Sequence, residues 1–108
     1  MSALSVERLQ AQCGGPRDGA LLRLTLGNAL AASGDVASAV AEFERALAFD
    51  PGYSAAWRAL GRARLVSGAA DAAADAFERG IAAARARGDL QACREMQVFL
   101  GRLRGPSK

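Results

Sequence analysis

Two consecutive stretches decide the fold: ALLRLTLGNALAASGDVASAVAEFERALAFDPGY, residues 20–53, and SAAWRALGRARLVSGAADAAADAFERGIAAARAR, residues 54–87. At an offset of 34 residues they agree at ten positions: Leu26/Leu60, Gly27/Gly61, Ala29/Ala63, Ser33/Ser67, Gly34/Gly68, Ala39/Ala73, Phe43/Phe77, Glu44/Glu78, Arg45/Arg79 and Ala48/Ala82. A fixed period of this length marks stacked supersecondary units, each of which buries a face against the next. The sequence thus reads as one all-α unit over residues 1–108: an N-terminal cap and loop (1–19), two helix-turn-helix repeats (20–53 and 54–87), a capping helix (88–104) and a flexible tail (105–108).

The punctuation within each repeat is explicit. Leu22, Leu26 and Leu30 put an apolar stripe on a helix over residues 20–33; Gly34 ends it, and Asp35 caps the next helix, which runs to about Ala48. Pro51 forbids continuation because it lacks the amide hydrogen an interior position donates. Ser54 restarts the pattern and Gly68 breaks the second pair. Arg85 stands where the first unit has Pro51, so the helix that starts near Asp71 is predicted to extend to Arg87, with Gly88 and Asp89 stopping it and capping its successor. That last helix, 89–103, puts Ala92, Cys93, Met96, Phe99, Leu100 and Leu103 on one face and Gln91, Arg94, Glu95 and Arg102 away from it, the one-faced pattern a terminal cap needs. Leu4 to Gln12 forms a short helix, expected to pack loosely, before the Gly14–Gly19 loop. Gly27 and Gly61 let the paired helices approach closely, with Ala39 and Ala73 as the small residues facing them and Phe43 and Phe77 filling the space between layers.

Composition bounds the chemistry. With 51% hydrophobic and 23% charged residues the chain is globular, and its Ala, Leu and Arg content favours helix. The absence of histidine removes Ser-His-Asp and Cys-His arrangements and imidazole metal sites, and Cys13 and Cys93 have no zinc-ligand spacing. Asp71 and Asp75 share a helical face as a solvated or salt-bridged pair, and the Gly14-Gly15-Pro16 segment lacks the Lys-Ser/Thr of a phosphate loop. No enzymatic activity, cofactor or metal is expected. Neither a secretory signal nor a membrane-length apolar run is visible, so the expected location is the cytoplasm, with both cysteines as reduced thiols. The net charge of +3 is uneven: residues 79–108 hold seven basic and two acidic groups, with Arg79, Arg85, Arg87, Arg94, Arg102, Arg104 and Lys108 forming a basic last third.

These residues resemble the tetratricopeptide repeat family. The first unit supplies its Leu26, Gly27, Leu30, Ala39, Phe43, Ala46 and Pro51, and the second its Trp57, Leu60, Gly61, Ala73, Phe77 and Gly80. Departures are Arg23 and Arg64, which stand where the family places large residues, and the missing second proline. The segment GDLQACREMQVFL, residues 88–100, also resembles the tail of small bacterial repeat proteins. The resemblance implies a right-handed superhelical stack whose concave groove binds a peptide or protein partner. The groove positions it implies are Leu21, Leu24, Asn28 and Ala31 from the first unit and Ala55, Arg58, Arg62 and Leu65 from the second. Arg58 and Arg62 lie four apart on one helix, so both guanidinium groups can meet one anion, and an acidic partner would suit them. Of the residues with which the family's chaperone-binding branch grips a terminal carboxylate, only Asn28 is matched; Leu24, Ala59, Asp89 and Cys93 occupy the others. Met96 and Phe99 form a possible apolar anchor if accessible, although burial against the preceding helix is favoured. The alternatives to an adaptor are a structural or self-associating module, with a homo-oligomer as its product, and, more weakly, nucleic-acid binding through the basic third. The last lacks an aromatic stacking platform.

Overall fold

The structure, a computed structural model, describes residues 3–105, so the tail beyond Gly105, including Lys108, lies outside the described residues. The described residues contain six helices and no strand: α1 (Ala3–Gln12), α2 (Ala20–Ala32), α3 (Val36–Phe49), α4 (Ser54–Val66), α5 (Ala70–Arg87) and α6 (Leu90–Arg104). Within the repeats α2 packs on α3 and α4 on α5; α3 meets α4 between them, α1 covers α2, and α6 covers α5. Along one side α2, α4 and α6 also touch in succession, giving an elongated array of 49 × 28 × 18 Å.

The turns form where the sequence punctuation stands. Gly34 and Gly68 adopt φ of +92° and +80°, a left-handed backbone in which a Cβ is strained. Each lets the following amide reach back five residues, Asp35 N–H to Leu30 O at 2.9 Å and Ala69 N–H to Arg64 O at 2.9 Å, closing both helices in the same way. Asp35 then accepts from the Ser38 amide at 3.2 Å as the N-cap of α3.

The core forms two clusters. Leu26, Leu30, Phe43, Leu47 and Leu60 build the first, and Phe77, Ile81, Met96 and Leu100 the second; Trp57 packs against both. Its indole N–H donates to Pro51 O at 2.8 Å, tying this bridging ring to the inter-repeat turn. The glycines of the two repeats face phenyl rings rather than Ala39 and Ala73: a Cβ on Gly27 would fall 2.6 Å from Cδ1 of Phe43, and one on Gly61 2.7 Å from Cδ1 of Phe77. Close helix pairing therefore comes from a ring laid on a bare Cα, with the two alanines buried beside it.

The N-terminal cap docks more firmly than the sequence suggested. Val6 is buried in the first cluster, with Leu9 and Cys13 packed against it. The loop is held by Arg23, whose Nε and Nη2 donate to the two oxygens of Asp18 at 2.8 Å each, while Nη1 donates to Glu42 at 2.9 Å. Asp18 also accepts from the Gly14 amide at 2.8 Å. Arg23 fills the position of the family's large residue with a planar guanidinium, only 15% exposed, and brings its own counter-charges. Hydrogen bonding from Arg23 and then from Gly14 holds the Asp18 carboxyl far below the usual carboxylate range.

The contrast between glycine positions is testable. Nothing lies within 4 Å of a Cβ on Gly101, in the exposed part of α6. Gly101→Ala should raise stability by about 0.5–1 kcal/mol through helix propensity. Gly61→Ala should lower it by roughly 1–3 kcal/mol, because the buried Phe77 ring must shift. Urea unfolding of both variants beside the parent checks the opposite signs.

Candidate functional site

One side of the array is built by α2 and α4, which lie next to each other because each is the first helix of its repeat. Between them is a cavity of about 420 Å³, lined by Leu24, Asn28 and Ala31 from α2, Val36 and Phe43 from α3, and Ala55, Arg58, Ala59, Arg62, Ala63 and Val66 from α4. The exposed wall is about half apolar and half polar, with Asn28 and the two arginines as its side-chain hydrogen-bonding groups; no carboxylate lines it. Val66, among its lining, is 75% exposed.

Of the groove residues named from sequence, Leu24, Asn28, Ala31, Ala55, Arg58 and Arg62 are brought together in this cavity. Leu21 and Leu65 are not among its lining. Leu21 is 70% exposed, and Leu65 instead packs against the Phe77 cluster. Ala63 and Val66 line the cavity without having been named, each next in sequence to an expected groove position, and Val36 joins them from the first turn of α3.

The arginines do not converge on one point. Arg58 Nη1 donates to Glu95 of α6 at 2.8 Å. The Arg62 guanidinium lies over the Phe99 ring, 5.6 Å from its centroid. Both contacts span 37 residues, as does the pair in which Arg87 donates to both oxygens of Asp50 at 2.9 and 2.6 Å. α4 starts 34 residues after α2 but α6 starts 36 after α4, and the buried pairs Ala56/Ala92 and Leu60/Met96 keep that spacing, which has a local cause. Without a proline α5 runs through Arg87 to Gly88, and only two residues separate it from α6, whereas four separate α3 from α4. The cap helix is thereby rotated relative to the repeat register, and Glu95, expected on the outer face, meets Arg58.

The same rotation decides the apolar anchor. Met96 is 0% exposed, pressed against Gly80 and Trp57, where a Cβ on Gly80 would fall 2.7 Å from Trp57 Cβ. It is core and presents no surface to a partner. Phe99 is half-buried and stacks on Phe77, centroids 5.3 Å apart and planes at 12°. The basic last third is also partly neutralised: Arg79 pairs with Asp75, Arg87 with Asp50 and Arg104 with Glu78.

A second hollow of about 250 Å³ adjoins the first between α4 and α6, lined by Ala55, Arg58, Asp89, Gln91, Ala92 and Glu95. Asp89 caps α6 by accepting from the Ala92 amide at 3.2 Å and also accepts from the Ser54 hydroxyl at 2.9 Å. These two bonds, with the nearby charge of Arg58, hold its carboxyl below the usual range; Arg87 does the same for Asp50. Both groups have lower values folded than unfolded, so the stability they add is complete above about pH 4 and is lost as pH falls through the folded values. Asp89→Asn keeps a capping side chain but removes its titration. The variant should lose less stability than the parent between pH 7 and about pH 3, as urea midpoints across that range would show.

Among the described residues no helix is long and apolar enough to cross a membrane. Residues 20–63 match the family model described as tetratricopeptide repeat. A TPR repeat-containing protein of Pseudomonas aeruginosa is 40% identical over 100 residues, covering 93% of this chain and 95% of that protein. A Bordetella parapertussis protein solved in solution is 44% identical with a TM-score of 0.80, over 95% of this chain and 89% of its own. A tetratricopeptide repeat domain protein from Salinibacter ruber is 26% identical with a TM-score of 0.77, over 85% of this chain and 92% of its own. Domains of this fold generally act as protein–protein interaction modules. Six helices in this order, two repeats in phase and a relative matched over nearly its whole length have one reading: the chain belongs to the tetratricopeptide repeat family.

Proposed function

We propose that the two repeats and their caps act as one adaptor unit that takes a segment of another protein into the groove between α2 and α4. The observation that carries this reading is the cavity itself: about 420 Å³ with a wall about half apolar and half polar, Asn28 and Arg62 lining it beside the exposed Val66. Such a surface gains free energy by losing water to an apolar side chain, while the amide and the guanidinium fix orientation. Arg62 has no carboxylate partner among the described residues, which favours a segment carrying an acidic group. Cys13 and Cys93 are free thiols, in keeping with work in the reducing cytoplasm.

Nucleic-acid binding is less well supported. Asp75, Asp50 and Glu78 hold three of the arginines that would carry it, and Phe99 is stacked against Phe77 rather than presented to a base.

Selection of a displayed random-peptide library on the protein supplies ligands for the test. Val66→Asp places a carboxylate in the groove wall, four residues from Arg62, without disturbing a buried position. It should weaken the selected peptides at least about tenfold, close to the loss of one apolar contact. Leu21→Asp, equally exposed but outside the cavity, should leave affinity unchanged. Equal binding by the parent and Val66→Asp would refute the groove.

A further inference from the structure

Two hollows with different electrostatics meet at one side chain. The larger, between α2 and α4, contains Arg58 and Arg62 and is lined by no acid. The smaller, between α4 and α6, shares Arg58 and adds Asp89 and Glu95. Arg58 stands on the boundary, and its Nη1 donates to Glu95 Oε2 at 2.8 Å, with the two side chains 35% and 38% exposed. Asp89 is already engaged by the Ser54 hydroxyl and the Ala92 amide, so Glu95 is the acid of this hollow that takes up Arg58. Arg62, one helical turn further along α4, lies over Phe99 and retains its N–H groups for a ligand.

We infer that Glu95 of the cap helix sets the specificity of the groove by occupying Arg58, so that the groove accepts a segment offering one carboxylate beside apolar side chains and discriminates against one offering two. The inference rests on the groove being the binding surface. Its physical basis is competition. A first carboxylate on the ligand finds Arg62, with Asn28 and the apolar part of the wall nearby. A second, aimed at Arg58, must displace Glu95 and then remain beside its charge. Exposed ion pairs are individually weak and exchange readily. Even so, the internal acid is tethered at high effective concentration, whereas a ligand's second acid gains no uncompensated cation. Like-charge juxtaposition of this kind is a common way for an interface to reject a partner.

The test uses displayed random-peptide selections run in parallel on the parent, Glu95→Gln and Glu95→Ala. Two variants are used because the first can retain a neutral hydrogen bond to Arg58 and the second cannot. The expected result is that the parent enriches peptides with a single acidic residue and both variants enrich peptides with two. Synthetic two-acid peptides from the variant selections should bind the variants about fivefold to tenfold more tightly than the parent by calorimetry. The advantage should shrink as salt is raised. Identical selections, or two-acid peptides that bind all three proteins alike, would overturn the role of Glu95. Val66→Asp separates the two ideas. Peptides sensitive to Val66→Asp but indifferent to Glu95 leave the groove standing and remove only this inference; peptides indifferent to both remove the groove and the inference together.

Discussion

A phenyl ring resting on a glycine Cα is the contact on which the rest of the architecture depends. In the first repeat Phe43 covers Gly27 and in the second Phe77 covers Gly61, at separations that leave no room for a side chain. The contact sets how closely the two helices of a pair approach, and the ring then supplies the largest buried side chain of its layer. Because the contact recurs at the same place in each repeat, α2 and α4 are held in equivalent positions over α3 and α5. The space between α2 and α4 is a consequence: small residues, Ala31, Ala55, Ala59 and Ala63, leave a cavity where larger ones would fill it. Phe43 serves on both counts, forming core on one side and cavity lining on the other.

The cap helix departs from this regularity, and the departure gives the site its character. An α5 of 18 residues, against 14 for α3, followed by a connection of two residues instead of four, shifts α6 by two residues relative to the repeat. Met96 turns inward to fill the space beside Gly80, Phe99 stacks on Phe77, and Glu95 comes to face Arg58 from the smaller hollow. A helix whose first task is to cover the apolar face of the second repeat thus also places one acid and one aromatic ring against Arg58 and Arg62 of α4. Its attachment is polar as well as apolar, through Asp89 to Ser54, and just before it Arg87 of α5 pairs with Asp50 at the end of α3.

The fold was legible in the sequence because its signals are local and periodic. Gly34, Gly68 and Gly88 stop helices, Asp35 and Asp89 start them, Pro51 breaks the connection, and the ten repeated positions fix the layers. The site was legible only where it inherits that period. Leu24, Asn28, Arg58 and Arg62 follow from it; Leu21 and Leu65, placed in the groove by the same rule, are not among the residues that line the cavity. Side-chain pairings between layers carry no period. Neither Arg58 with Glu95 nor Arg23 with Asp18 and Glu42 can be read from spacing, because each depends on the rotation of one helix against another. Arg23 did leave a trace, as a charge at a position expected to hold a large residue, and a buried guanidinium implies carboxylates around it.

The most direct test of the groove as the working surface is a two-dimensional NMR titration of the parent protein with a peptide selected on it, following side-chain signals. The expected result is that the Asn28 amide, the Arg62 Nε–H and the Val66 methyls shift together and saturate at one peptide concentration, while the methyls of Leu21 and Leu65 stay in place. Shifts confined to the outer face of α6, or to Arg85, Arg94 and Arg102, with Asn28 and Val66 unmoved, would contradict it.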